Sequence, residues 1–217
     1  MTTTQTITAD LTAARRAYYA AVENARTYQD PDLTPEALTR QRQDREAAAR
    51  TAYAQALRPI REDYERAARL NAKALAKVPA PAPGATDGAW RRVEARLGAG
   101  ATLDDLIAIS DVEMLQAIRV EGPTYLAING GDPAGSVTLP DRLERATLAR
   151  YAAITEDTDM AAALAEAPTL AGLAVTLDDA EAEAQGIPGA GGLNGAVAAA
   201  LAVQAAGSTT VDPDTTA

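Results

Sequence analysis

The 217-residue sequence contains no cysteine, no histidine and no phenylalanine. Without thiols it can form neither a disulfide nor a thiolate zinc site, and it has no cysteine nucleophile. Without imidazole it cannot build a histidine-dependent catalytic triad or a histidine metal site. The only metals that its side chains suit are hard cations such as magnesium or calcium. These absences exclude much of ordinary enzyme chemistry.

Large apolar side chains are also scarce. Aromatic residues make up 4% of the chain, whereas alanine alone occupies 53 positions. An alanine methyl group buries little apolar surface, but alanine is the best helix former. A sheet protein would call for more β-branched and aromatic side chains. The composition therefore predicts an all-α fold of closely packed helices.

The sequence has no long apolar run and an uneven distribution of charge. No run of consecutive apolar residues approaches the roughly 18 that a membrane span needs, and the N-terminus lacks the pattern of a secretory signal. Residues 1–83 carry a net charge of +3, whereas residues 84–217 carry −13. An acidic region repels phosphate groups and anionic lipids. We therefore expect a protein made in the cytoplasm, with no nucleic-acid partner and no membrane contact.

Two segments near the N-terminus show helical periodicity. Small or apolar residues recur at spacings of three and four in residues 9–29 and again in residues 53–78. This repeat is typical of a coiled-coil seam, so residues 1–78 are predicted to form a helical hairpin or coiled coil. Pro59 lies inside the second helix and is expected to kink or break it near Arg58. The seam residues predicted to mediate protein interaction are Leu11, Tyr18, Tyr28, Tyr53, Leu57, Ile60, Tyr64 and Asn71.

Prolines, glycines and caps mark the boundaries along the chain. Thr34 followed by Pro35 is typical of a helix N-terminus. Residues 125–139 are compatible with a small β-hairpin or with a loop. The predicted segments are a helical hairpin at 1–78, a Pro/Ala linker at 79–89, an acidic region of short helices at 90–206 and a disordered tail at 207–217.

Starts of the short helices are indicated where a capping residue is followed three positions later by an acid. The pairs with this spacing are Thr102 with Asp105, Ser110 with Glu113, Asp141 with Glu144, and Thr176 with Asp179.

Paired carboxylates are the main candidates for acid/base or metal chemistry. Adjacent or alternate positions of a helix do not face each other, so pairs such as Asp104 and Asp105 are explained more simply as helix-start acids. The same explanation is given to Asp178 with Asp179, and to Glu181 with Glu183. The glycine-rich stretches lack the lysine and hydroxyl residue of a nucleotide loop. We predict no catalytic, metal-binding or cofactor-binding residue and no small-molecule substrate.

Two further features point to protein surfaces. Trp90, the only tryptophan, is interpreted either as a core anchor of the second region or as an exposed docking anchor. Basic residues occur along the second helix with acidic residues between them. This pattern favours a solvated or partner-facing surface. A sharper hypothesis has this basic stripe meet the acidic tail of a neighbouring chain, an association that would depend on ionic strength.

The whole chain resembles, in style, accessory structural or assembly proteins of tailed bacteriophages that infect high-GC, actinobacterial hosts. The features that carry this resemblance are the vocabulary rich in Ala, Thr, Asp and Arg, the acidic balance, the N-terminal hairpin and the Pro/Ala linker. It implies a protein used in many copies, either as a capsid or connector component of the virion or as a scaffold during head assembly. Such scaffolds often end in a basic helix, whereas this C-terminus is acidic.

These observations together predict a non-enzymatic structural protein. It is expected to self-associate through its coiled-coil helices and to bind another structural protein, in the host cytoplasm during synthesis and then in the virion. The alternatives are a transient scaffold or assembly chaperone for capsid proteins and, more distantly, a carboxylate-dependent hydrolase.

Overall fold

The computed structural model describes residues 2–78, 81, 84–129 and 139–187. Within these ranges the chain forms helices and no strand, which confirms the predicted all-α class. The seven helices described are α1 (Thr3–Arg26), α2 (Pro35–Leu75), α3 (Asp87–Gly98), α4 (Leu103–Ile109), α5 (Val112–Asn129), α6 (Leu139–Thr155) and α7 (Thr158–Ala184).

Hydroxyl caps set the start of the first two helices. Thr2 accepts a hydrogen bond from the backbone N–H of Gln5, whose side chain accepts from the Thr2 N–H, and this capping box starts α1 earlier than the periodicity indicated. The hydroxyl of Thr34 accepts from the N–H of Ala37, and α2 begins at Pro35 as predicted.

Helix α2 runs unbroken through Pro59, so the break expected near Arg58 does not occur. A proline removes one backbone donor, which costs about 3 kcal/mol or more in an isolated helix. Leu57 and Ile60, on either side of Pro59, are both buried in the core. Their packing keeps the backbone helical on both sides of the missing hydrogen bond.

The predicted helix starts in the acidic region have mixed outcomes. Thr102 and Asp105 form a complete capping box at the start of α4. Ser110 instead ends α4 and donates to the carbonyl of Leu106, while Asp111 caps α5 by accepting from the Met114 N–H. An aspartate one residue later in the chain takes the role predicted for Ser110.

Thr176 was the fourth predicted cap, and it lies inside α7. Its hydroxyl donates to the carbonyl of Gly172, one turn earlier in the same helix. Asp178 and Asp179 are therefore near the end of a long helix, and their interpretation as helix-start acids is wrong. The cap of α7 is Asp157, which accepts from the Met160 N–H.

Two other predicted segments lie partly or wholly outside the described residues. Of the predicted hairpin or loop at 125–139, the first five residues form the end of α5, and residues 130–138 are not described. The predicted tail at 207–217 is outside the described ranges as well. Helix α3 begins at Asp87, within the predicted linker at 79–89.

The chain divides into two compact units. Of the described residues, the first unit contains those in 2–70 and 166–187, and the second contains those in 71–165. This grouping differs from the predicted segments 1–78 and 90–206 because the second half of α7 packs with α1 and α2.

The core of the second unit lies among α3, α4, α5 and α6. Its fully buried side chains include Val93, Leu106, Leu115 and Ile118. Helices α5 and α6 approach closely at Gly122, where a Cβ atom would lie 2.6 Å from Cδ2 of Leu143. A smaller cluster joins the end of α2 to α6 and α7 through Val78, Leu148, Ala152 and Met160.

Candidate interaction surface

The predicted seam is buried inside the chain itself. Leu11 of α1 and Tyr53, Leu57 and Ile60 of α2 are each 7% exposed or less. They form one core cluster together with residues of the second half of α7. The periodicity therefore identified core positions of the first unit, and their third partner is a helix from the far end of the chain.

The other seam tyrosines pack around this core. The ring of Tyr18 stacks on that of Tyr53, with centroids 4.5 Å apart and planes 9° from parallel. Tyr64 packs against the same cluster. Tyr28 sits at the α1–α2 turn, where its hydroxyl donates to Asp30 and the guanidinium of Arg45 lies 3.7 Å from its ring centroid. Offset stacking and cation–π contacts of these kinds hold the two helices in register.

The remaining two predicted interaction residues belong to the second unit. The side-chain amide of Asn71 donates to the carbonyl of Ala163 at 2.7 Å. Trp90 packs against the core of the second unit and meets Tyr125 edge-on, with centroids 6.0 Å apart. Of the two interpretations of Trp90, this contact favours the core anchor.

The second half of α7 supplies apolar side chains to the first unit at a regular spacing. Leu170, Leu173, Leu177 and Ala180 follow one another at intervals of three, four and three residues, and all are buried in the cluster of the first unit. This is the spacing that marks the seam of α1. The signal was present in the sequence, but the neighbouring Thr176 was interpreted as a helix start.

Charged residues flank this apolar strip and join α7 to α2. The Nε atom of Arg61 donates to Glu181 at 2.8 Å, and its terminal nitrogen donates to Glu181 at 2.9 Å and to Asp178 at 2.6 Å. The side chain of Arg61 is 22% exposed. These hydrogen bonds, the one to Glu181 foremost, raise the pKa of an arginine that is already fully ionised. A bidentate pair of this kind fixes geometry as well as charge.

At Arg61 the basic stripe predicted on α2 thus meets acidic residues of its own chain. Arg61 belongs to that stripe. Asp178 and Glu181 belong to the part of the chain after Arg150, which contains no basic residue. The structure has this contact of Arg61 within one chain, and the association of the whole stripe with a neighbouring chain stays a prediction.

A polar cluster lies where α1, α2 and α7 meet. The Nε atom of Arg15 and Oε2 of Glu183 are 3.9 Å apart, too far for a hydrogen bond. Both atoms and the hydroxyl of Tyr53 are buried, and none has a hydrogen-bond partner among the described residues. Burial raises the pKa of Tyr53, and partial burial together with the Glu183 carboxylate raises the pKa of the neighbouring Tyr19. Unpaired buried polar atoms are costly, so the contact between α7 and the other two helices is imperfect here.

A shallow groove of about 350 Å³ runs beside α7 on the surface of α2. It is lined by Leu57, Arg58 and Arg61 on α2 and by Glu181 and Ala184 on α7, among others. A second groove, of about 260 Å³, lies in the second unit beside Tyr125 and the ion pair of Asp104 with Arg142.

Helix α7 also has an unusually apolar composition. Among the described residues it is the one helix long and apolar enough to cross a membrane by length and composition alone. Glu166 is the only charged residue between positions 160 and 177. A core helix of a globular unit passes the same test, and Leu170, Leu173 and Leu177 are indeed buried against α1 and α2.

Four of the six carboxylates considered for catalysis or metal binding are engaged in caps or ion pairs. Asp105 is part of a capping box, and Asp104 pairs with Arg142 at 3.2 Å. Asp178 and Glu181 pair with Arg61. Within the described ranges no group of three or more carboxylates lies close enough to hold a metal ion.

Comparison with known proteins gives no relative for this chain: no protein-family model, no curated protein and no solved structure matches it.

Proposed function

We propose that this protein is a non-enzymatic structural protein that self-associates through the helices of its first unit. The observation that carries the proposal is that most of the candidate carboxylates form helix caps or ion pairs. Four of the six carboxylates considered for chemistry cap a helix or bind an arginine on another helix, as Asp105 and Glu181 do. Side chains committed in this way stabilise helix–helix contacts and are not free to act on a substrate.

The construction of the first unit supports an assembly role. Helix α2 has 41 residues, which corresponds to about 60 Å of helix. The apolar strips of α1, α2 and α7 are complementary, and so are their charges. Surfaces of this kind can associate within a chain or between chains, because a coiled-coil seam does not specify which molecule supplies the partner helix.

The resemblance to phage structural and assembly proteins supplies the context that we propose for this association. In that context the protein is a capsid or connector component that binds itself and another structural protein. A transient scaffold is the alternative, and retention of the protein in finished particles distinguishes the two. A component remains at fixed stoichiometry, whereas a scaffold is lost.

Light scattering tests self-association in the full chain. We expect a molar mass that is a multiple of the 22.5 kDa chain at high protein concentration and that falls on dilution. The measurement is repeated at low and at high salt, because ion pairs flank the contact of α7 with α2. A mass of one chain at every concentration and salt level would contradict the proposal.

A further inference from the structure

The end of α7 occupies a groove that a second copy of the chain also offers. Leu170, Leu173 and Leu177 fill the space between α1 and α2. Asp178 and Glu181 reach Arg61 on one side, and Glu183 lies beside Arg15 on the other. This is helix-in-groove recognition, with apolar anchors spaced along one face and charges that set the position.

The fit within one chain is incomplete on both sides of the helix. On one side Arg15, Tyr53 and Glu183 leave buried polar atoms unpaired among the described residues. On the other side the groove of about 350 Å³ beside Ala184 and Leu57 stays open. The contact that the helix gives up on leaving is therefore imperfectly packed, and an exchanged helix makes the same contact again.

Pro168 supplies a place at which the helix can separate. It lies inside α7, two residues before the first leucine anchor, and its ring nitrogen carries no hydrogen to donate. The helix is weakest at the point where the segment that belongs to the first unit begins.

We propose that self-association proceeds by reciprocal exchange of this segment. Residues 169–187 of one copy occupy the α1–α2 groove of a second copy, and the second copy returns the same segment. The occupant is a second copy of this chain because it carries an identical helix with the same leucines and the same acids for Arg61. Exchange of an identical element is a low-cost route to a dimer. This inference rests on the proposed function and names the surface that performs it.

Reversal of charge separates exchange between chains from packing within one chain. One variant carries Arg61→Glu, and the other carries Asp178→Arg with Glu181→Arg. Each variant alone places like charges together. In an exchanged dimer of the two variants, the groove with Arg61→Glu receives the segment with the two introduced arginines. The other groove keeps the native Arg61 and receives the segment with the native Asp178 and Glu181.

The two variants are unfolded, mixed, refolded together and examined by native mass spectrometry. We expect nearly all of the dimer to be heterodimer, well above the statistical proportion for an equimolar mixture. A matched control mixes Arg66→Glu with Asp63→Arg, which reverses an ion pair within α2 that does not involve α7. Heterodimer at or below the statistical proportion in the first mixture would overturn the exchange.

A second measurement keeps the test valid if a charge-reversed chain does not fold. The protein has no cysteine, so single thiols can be placed at will. Chains with Arg61→Cys are mixed with chains carrying Glu181→Cys and treated with a short bismaleimide. A cross-linked heterodimer is expected, well above that obtained with Arg66→Cys in place of Arg61→Cys. Cross-linking that occurs only within one chain, in a variant that carries both Arg61→Cys and Glu181→Cys, would overturn the proposal.

The outcomes for the exchange and for the proposed function can be told apart. If light scattering finds oligomers of the wild-type chain but neither mixture yields the heterodimer, exchange is wrong. The chain then self-associates through another surface. If the wild-type chain is a monomer throughout, both proposals fall.

Discussion

Among individual residues, Tyr53 combines a well-packed ring with a buried hydroxyl that is unpaired. Its ring stacks on Tyr18 and its side chain is 2% exposed, yet its hydroxyl has no hydrogen-bond partner among the described residues. Burial of an unpaired hydroxyl costs about 1–3 kcal/mol. The rest of the side chain contributes as a large apolar group.

Replacement of Tyr53 by phenylalanine should therefore leave stability unchanged or raise it by up to about 1 kcal/mol, because the ring is kept and the unpaired group is removed. Urea unfolding measures the difference. Tyr53→Ala is the control and should lose about 3–5 kcal/mol through the cavity that it leaves. A loss above about 1 kcal/mol for Tyr53→Phe would mean that the hydroxyl is satisfied, for instance by an internal water.

The same tyrosines predict a loss of stability in alkali. Burial raises the pKa of Tyr53 and of Tyr19 above the ordinary 10.0. A group whose pKa is raised by folding contributes stability that is fully present below its unfolded pKa and is lost as the pH rises through the folded pKa. We expect the free energy of unfolding to fall above about pH 10, and this fall to shrink in Tyr53→Phe. Unfolding at a series of alkaline pH values measures it, and an unchanged slope in that variant would contradict this account.

Glu156, in the turn between α6 and α7, adopts a left-handed backbone conformation with φ of 53°. An L-residue in this region costs about 1 kcal/mol, a cost that glycine avoids. Glu156→Gly should therefore stabilise the protein by about 0.5 kcal/mol after the extra entropy of the unfolded chain is counted. Thr155→Gly, one residue earlier and at the last residue of α6, is the matched control and should destabilise slightly, because glycine is a poorer helix former than threonine. Thermal unfolding of both variants checks the opposite signs, and destabilisation by both would refute the prediction.

At the level of the helices, caps and periodicity carried most of the predictable information. Thr34 with Pro35 and Thr102 with Asp105 mark helix starts where the sequence predicts them. Local rules failed where tertiary packing competes with them. Buried Leu57 and Ile60 keep α2 continuous through Pro59, and Thr176 finds a carbonyl acceptor inside α7 in place of a cap.

Helix packing in the second unit depends on the absence of a side chain at Gly122. A Cβ atom there would lie 2.6 Å from Cδ2 of the buried Leu143. Gly122→Ala should cost about 1 kcal/mol net, because overpacking of about 1–3 kcal/mol exceeds the gain in helix propensity of about 1 kcal/mol.

Gly88→Ala is the matched control for that substitution. Gly88 lies in α3, and nothing is within 4 Å of its Cβ position. The control should be neutral or stabilising by up to about 1 kcal/mol. Urea unfolding of both variants checks the difference, and equal stabilisation by the two would show that α5 and α6 have room to separate.

At the scale of the whole molecule, the sequence indicates which faces are apolar but not which elements share them. The seam through Leu11, Tyr53 and Leu57 is visible as a repeat, yet the same repeat suits a partner helix from the same chain or from another one. Arg61 and Glu181 lie 120 residues apart, and no local pattern links them. Their contact is a property of the fold, which is why the acids of α7 were assigned a different role from sequence.

The central claim is that this chain associates with copies of itself. Native mass spectrometry of an equimolar mixture of isotope-labelled and unlabelled wild-type protein, after incubation at high concentration, tests it most directly. We predict a species of intermediate mass that contains one chain of each kind. If only the two monomer masses, labelled and unlabelled, are found under conditions that preserve the fold, the chain does not self-associate and the account is contradicted.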